Sequence, residues 1–457
     1  WRLRSAKTGM IAHRHKTDRV ALVSGLDASG YGIARSLGRA SVQVHALCGP
    51  KNQYGRFSRF CDGWFAYPPA PEDHLEQVCD LLLEVRGQFN SPPVLFATSD
   101  WFTQVLSSYQ DRLAGHYLYH WLPSPLLETI VNKARLAEWC LRADVTIPRT
   151  HITQPGEDLL AAALEFPYPC LVKPTLRTNP IFRESKNFLA TSPTALVNLY
   201  ARHPELVGST IWQHYIEACD ENIFQCTTLV RQNGQIGGLV TVRKLSQYPP
   251  NGMMCFGRTE EHPVLALAAR QLLERMDYRG LASIEFKYSP LDGRFYFIEI
   301  NARLPWYNSL FAGAGVNLPV LAFADLAGDP APSPLPLPGE RVYWMCVENT
   351  AKAILSTEDR PTRHWLRFLA DIGATHSFAW WDWRDPLPFL ASAIHLLRRV
   401  AEKLNPFLHP ARLPVPELAL VTVPSADSTQ ASGNVRAPAS ADSDSCETVP
   451  KPFRHQD

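Results

Sequence analysis

None of the ten cysteines stands in a Cys-x-x-Cys pair. They are scattered at Cys48, Cys61, Cys79, Cys140, Cys170, Cys219, Cys226, Cys255, Cys346 and Cys446, which argues against a zinc site and against a disulfide framework. Reduced core thiols in a cytoplasmic protein are the expectation. The chain also lacks any run near the roughly 18 apolar residues that a transmembrane helix needs. The basic N-terminus, 1–17, has no apolar stretch of the signal-peptide kind and is expected to be disordered. Residues before Met10 read as an overhang ahead of the first strand pattern. Excess charge is missing too: the formal net charge of +1 gives no support to a nucleic-acid surface. What the 457 residues do have is 46% hydrophobic against 19% charged content, enough for a large core. By length, roughly three domains are expected.

Complete nucleotide-loop motifs are absent as well. Val20 to Ser24 reads as a buried strand, followed by a glycine-bearing loop, Gly25 to Gly32, a helical stretch from Ile33 to Leu37 and a second strand from Val42 to Leu47. This is the order of nucleotide-binding α/β units. The dinucleotide fingerprint, however, wants a third glycine where Arg35 stands, and the P-loop wants Lys-Ser or Lys-Thr where Tyr31-Gly32 stand. The loop is therefore read as a tight turn at a helix N-terminus, facing an anionic group of a substrate. An NAD-dependent oxidoreductase rests on this loop alone.

The most informative segment lies further on. Ser283-Ile284-Glu285-Phe286-Lys287 and Phe297-Ile298-Glu299-Ile300-Asn301 are apolar runs flanking the turn signal Pro290-Leu291-Asp292-Gly293. Each run carries an acid where a core strand would carry Val or Ile, and an unpaired buried carboxylate costs on the order of several kcal/mol. Glu299 and Asn301 are two apart and share a face of a strand. A three-residue loop, Leu291 to Gly293, would pair Pro290 with Arg294 and set Glu285 opposite Glu299. Two carboxylates and an amide then converge, a donor set suited to Mg²⁺, with Mn²⁺ as a substitute. Arg303, two residues on, would meet a phosphate or an oxyanion.

Other pieces fall into order around it. Val94 to Ala97 is a third strand, ended by Thr98-Ser99-Asp100. Leu126 to Leu141 has helical apolar spacing and carries Lys133. The strand Tyr168 to Pro174 ends in Lys173, unusual unless the ammonium meets solvent or a phosphate. Thr175 to Phe188 is a loop offering Arg177, Arg183 and Lys186 to anions. Ile211 to Ile216 reads as a strand, Asn222–Val230 with Ile236–Leu245 as a hairpin, and Pro263 to Met276 as an amphipathic helix. Pro330 to Pro338 is a linker, Arg341 to Asn349 a returning strand, and Phe389 to Leu404 an amphipathic helix with a basic face, for a membrane, a partner or the domain itself. His116 and His120 share metal-ligand spacing only if helical, and their surroundings read as strand or loop.

The joint order of Lys133, the "YPCLVKP" strand, the "IWQHYIE" strand and "GLASIEFKYS…GRFYFIEINAR" resembles the ATP-grasp superfamily, in its carboxylate–amine ligase branch of D-aspartate-ligase-like and carbamoyl-phosphate-synthetase-like proteins. The resemblance covers Val20 to Gly328. It implies a mixed α/β and α+β fold: a Rossmann-like parallel-sheet domain (18–122), then a two-lobed ATP-grasp domain (123–328, lobes 123–212 and 213–328). A linker (329–339), a C-terminal extension (340–415) and a disordered tail (416–457) would follow. By the same resemblance, Lys133, Lys173 and Lys186 would contact ATP phosphates, Gln213, Tyr215 and Ile216 the adenine, and Glu221, or Asp220, the ribose. Glu285, Glu299 and Asn301 would hold Mg²⁺, and Arg303 with Arg243 or Lys244 would serve catalysis. The implied activity joins a small-molecule carboxylate to an amine, both amino-acid-like, with no nucleic-acid partner and with a homodimer compatible. Their pocket is expected near Gly30-Tyr31-Gly32, Tyr248 and Trp306-Tyr307-Asn308. Two departures stand out: no glycine occurs between Leu171 and Val207, and Ala302 replaces the usual proline. The glycine-free loop favours, as an alternative, an ATP-binding regulator or scaffold.

Overall fold

The first strand, Val20–Val23, is buried along its whole length and sits inside a four-stranded parallel sheet. Its neighbours are Gln43–Cys48 and Val94–Phe96, and Gly63–Ala66 completes the far edge. The computed structural model describes residues 19–404, apart from 50–51, 69, 177–179, 183–186, 251, 331–340 and 357–361. The N-terminal segment, the tail, most of the linker, and Arg177, Arg183 and Lys186 therefore lie outside the described residues.

The helix after the first strand spans Ala28–Arg39, starting five residues earlier than its apolar spacing suggested. Asp27 caps it, accepting from the Gly30 N–H at 3.1 Å. Gly30, Tyr31 and Gly32 thus belong to the buried first turns of the helix and form no open loop. A Cβ on Gly30 would lie 1.7 Å from the Gly25 carbonyl oxygen, and one on Gly32 2.3 Å from Asn308 Oδ1. These glycines permit close packing. Where an anion was expected at this helix N-terminus, the Asp27 carboxylate accepts from the Gly30 N–H.

A second, antiparallel sheet of four strands runs in the order Thr150–Ile152, Thr210–His214, Cys170–Pro174, Phe188–Ala190. Before it come two helices, Ser124–Val131 and Lys133–Arg142, where the apolar period suggested one. Asn132 causes the break: its extended backbone ends the first helix, and its side chain accepts from the N–H groups of Ala134 and Arg135 at 3.0 and 3.2 Å. The Lys133 N–H then donates to the Thr175 carbonyl at 2.9 Å. This tie brings the second helix to the end of the strand that carries Lys173.

The third sheet has seven strands: Arg294–Asn301, Gly280–Ser289, Ile223–Val230, Ile236–Tyr248, Met253–Thr259, Tyr343–Met345 and Ser377–Phe378, in that spatial order. All neighbours are antiparallel except the last pair. Met253–Thr259 escaped the sequence reading. The returning strand is only three residues long, because the helix Val347–Leu355 takes over where more strand was expected. Under this sheet, Leu310, Phe311, Leu318 and Leu321 share one core with Ile33, Ala34 and Leu37 of the first helix. The two sheets are thereby fixed to each other through that helix.

Past Phe378 the chain lies back on the same helix. Asp385 is buried and accepts from the Tyr31 hydroxyl at 3.1 Å, the Arg59 N–H at 3.0 Å and the Ser58 hydroxyl. Asp382 pairs with Arg35 at 3.5 Å and with Arg39. Arg35, which broke the dinucleotide motif, is thus half of a buried ion pair. The last described helix is Leu387–Leu404, and the side chains of Arg399 and Lys403 on its expected basic face are outside the described set. No described helix is long and apolar enough to cross a membrane. Seven of the nine described cysteines are buried.

Candidate functional site

The hairpin Gly280–Ser289 and Arg294–Asn301 sets Glu285 opposite Glu299, by a different route from the one expected. Ser289 pairs with Arg294, so the loop has four residues, Pro290 to Gly293, with Gly293 in the left-handed region at φ 70°. That register alone would misalign the acids by one. A bulge corrects it: the pairing shifts between Phe286 and Glu285, leaving Ile298 as the extra residue. Phe297 and Ile300 enter the core, while Ile298 and Glu299 both face the adjoining cavities.

Neighbouring strands add to this face. Lys244 Nζ lies 2.8 Å from Glu285 Oε2, and Gln225 Nε2 donates to the same oxygen at 2.7 Å. The Asn301 amide donates to Glu299 Oε1 at 3.2 Å. Among the described residues the buried Gln225 Oε1 has no hydrogen-bond partner. Arg243, next to Lys244, must point the other way on a strand. It donates to the Glu221 carbonyl at 2.6 Å and pairs with Glu260 at 3.4 Å, away from the two cavities.

Two cavities meet along Glu299. One, of about 380 Å³, is lined by Lys133, Lys173, Gln213, Tyr215, Ile216, Glu285, Lys287 and Glu299. Lys173 Nζ donates to Gln213 Oε1 at 2.6 Å. Burial lowers the Lys173 ammonium to about 8, with Glu299 opposing and Lys133 adding to the fall. Gln213 therefore contributes its side chain, where the resemblance implied mainly backbone. The two acids of the following turn have other partners: Asp220 accepts from Gln247 N–H and Nε2 at 2.9 and 2.8 Å, and Glu221 sits 3.7 Å from Arg243.

The second cavity, of about 920 Å³, lies between the parallel sheet and the hairpin and is lined by Asp27, Ser29, Asp100, Trp101, Asn301, Arg303 and Trp306 among others. Arg303 Nε donates to Asp100 Oδ1 at 2.6 Å. Burial alone would lower the guanidinium, but Asp100 outweighs it and the net shift is upward. Asp27 is pushed up by burial, against its Gly30 hydrogen bond and Arg303. Of the aromatics expected at the pocket, only Trp306 lines it. Tyr31, Tyr307 and Asn308 are fully buried, drawn into the core by the packing of the first helix.

The sequence reading missed Gln225, Lys287, Asp27 and Asp100. Lys287 was within reach, being two residues from Glu285 on one strand face. Asp100 follows the C-terminal end of a parallel strand, where α/β sites gather. His116 and His120 form no helical pair, and His120 instead meets Asp325 at 2.8 Å.

Among the described residues no group of three His, Cys, Asp or Glu side chains is placed to hold a metal. The donor set here is two facing carboxylates, an amide and an orphan carbonyl oxygen. Mg²⁺ is commonly held by one or two carboxylates plus substrate phosphates, so the residues fit it.

Facing carboxylates of the seven-stranded sheet and the lysines at the start of helix Lys133–Arg142 and near the end of strand Cys170–Pro174 line one cavity. The family described as carbamoyl-phosphate synthase L chain, ATP binding domain, matches residues 257–318. A D-aspartate ligase of Enterococcus faecium (strain Aus0004) is 22% identical over 319 residues, which cover 65% of this chain and 74% of that one. The biotin carboxylase domain of Hydrogenobacter thermophilus 2-oxoglutarate carboxylase, solved with MgADP, ADP and bicarbonate, superposes with a TM-score of 0.56 at 17% identity, covering 71% of this chain and 73% of that one. N5-carboxyaminoimidazole synthetase from Staphylococcus aureus, complexed with ADP, gives 0.55 at 15% identity, covering 72% and 83%. The chain is similar to ATP-grasp proteins and shares the fold of these solved structures.

Proposed function

We propose that this protein is an ATP-dependent ligase that joins a carboxylate to an amine, releasing ADP and phosphate. The observation that carries this reading is the placing of Glu285 and Glu299 face to face on the cavity that also holds Lys133 and Lys173. The facing acids suit a divalent cation, and the lysines suit a triphosphate.

A carboxylate is a poor electrophile. Its oxygen attacks the γ-phosphoryl of ATP, ADP leaves, and the resulting acyl phosphate carries a good leaving group. The amine then attacks the acyl carbon, phosphate departs and an amide remains. In this proposal Lys133 and Lys173 hold the phosphates, while Glu285, Glu299 and Asn301 hold Mg²⁺, which supplies charge neutralisation when bound. Arg303, oriented by Asp100, stabilises the oxyanion of the second step. Lys244, 2.8 Å from Glu285, neutralises that carboxylate. The larger cavity receives the reactants. Its mixed charge, Asp27 and Asp100 beside Arg303, suits zwitterionic, amino-acid-sized compounds.

The test is ADP release from Mg-ATP with a panel of amino acids offered singly and in pairs. A pair-dependent rise, lost in Glu299→Gln, is the expected result. ATP binding with no turnover for any pair would leave a regulator of the same fold.

A further inference from the structure

Three lysines line the smaller cavity, and the proposed reaction uses two of them. The third, Lys287, is two residues past Glu285 on the strand Gly280–Ser289 and is 8% exposed. Its Nζ stands 4.4 Å from the centre of the Tyr215 ring. Among the described residues this ammonium makes no hydrogen bond and no ion pair.

That is an unusual state for a buried cation, since desolvation is costly unless donors are satisfied. The carboxylates nearby are committed elsewhere. Glu285 is bonded to Lys244 and Gln225, and Asp220 to Gln247. The surroundings are apolar and aromatic: Tyr215, Ile216 and Ile223 line the same cavity. Lys173, by contrast, answers Gln213. The cavity therefore has a lysine pair suited to phosphates and, over the Tyr215 ring, a donor set among flat apolar walls suited to a nucleoside.

We propose that Lys287 is a specificity-determining residue that donates to a hydrogen-bond acceptor on the nucleoside half of the bound nucleotide, either the purine edge or the ribose. This rests on the reading of the cavity as a nucleotide site. Such a contact fixes which nucleoside is accepted. The phosphate lysines cannot do this, because every nucleotide presents them with the same phosphates.

The experiment measures dissociation constants of MgADP and of magnesium pyrophosphate for the wild-type protein, Lys287→Met and Lys173→Met by calorimetry, with melting temperatures alongside. Lys287→Met is expected to weaken MgADP by about tenfold or more, the worth of a hydrogen bond from a charged donor, and to leave pyrophosphate within about twofold. Lys173→Met should weaken both. MgGDP and 2′-deoxy-ADP locate the acceptor: loss of discrimination between ADP and GDP in the variant assigns the base, and wild-type weakness toward 2′-deoxy-ADP assigns the ribose. Lys287→Arg, which keeps donors and charge, should recover part of the affinity. Unchanged MgADP binding in Lys287→Met, or an equal loss for pyrophosphate, overturns the proposal while leaving the nucleotide site standing. A wild-type protein that binds neither MgADP nor pyrophosphate overturns the nucleotide reading itself.

Discussion

The glycine loop near the N-terminus and the acidic hairpin near residue 290 make opposite uses of unusual residues. The loop carries a broken nucleotide motif, and its glycines serve packing: Gly30 lets the helix start against the Gly25 carbonyl. The hairpin has the pattern of a core element spoiled by acids, and those acids face cavities. The difference lies in where each group's demand is met. Helix-start N–H groups are satisfied by Asp27 within the fold. Glu285 and Glu299 hold neighbouring donors and still border space for a ligand.

Glu299→Gln should break the comparison most sharply. We expect ADP formation to fall by about a hundredfold or more, as when a ligand of a charge-neutralising cation is removed, with an unchanged melting temperature. Retained activity would place the chemistry elsewhere. Gly30→Ala should do the reverse, destabilising the fold by about 2–3 kcal/mol through the clash with Gly25, as read by thermal denaturation.

Lys173 sharpens the contrast through pH. Its ammonium titrates at about 8 in the folded protein against an ordinary value of 10.5. Between those values the unfolded chain keeps a proton that the folded chain has released, so this group's contribution to stability rises with pH across that window. Nucleotide affinity needs the ammonium and should fall above about pH 8, by up to roughly tenfold per unit. Lys173→Met should flatten both trends, followed by calorimetry and melting curves. The smallest effect belongs to Arg243→Gln. Because Arg243 points to Glu221 and Glu260, activity should stay within about threefold, whereas Lys244→Met, on the opposite face, should cost far more.

Local patterns were legible where they sufficed. Period-two spacing put Glu299 and Asn301 on one face, and the order of lysines and strands pointed to the fold. The four-residue loop was not legible, nor was the bulge at Ile298 that restores the alignment of the acids, since two irregularities cancel and neither leaves a composition signal. The break at Asn132 was readable in principle from its capping side chain but was masked by continuous apolar spacing. Tyr31, Tyr307 and Asn308 have the character of surface recognition residues in the chain. Only contacts among segments far apart in sequence turn them into core.

The Asp385 carboxylate that receives the Tyr31 hydroxyl comes 354 residues after it. During synthesis at roughly 5–20 residues per second, the first helix must wait about 20 to 70 s for that partner. Over that interval Tyr31 and Arg35 present an unfinished surface to the ribosome's surroundings. A chain that ends before Asp382 would lack both carboxylates that meet Tyr31 and Arg35.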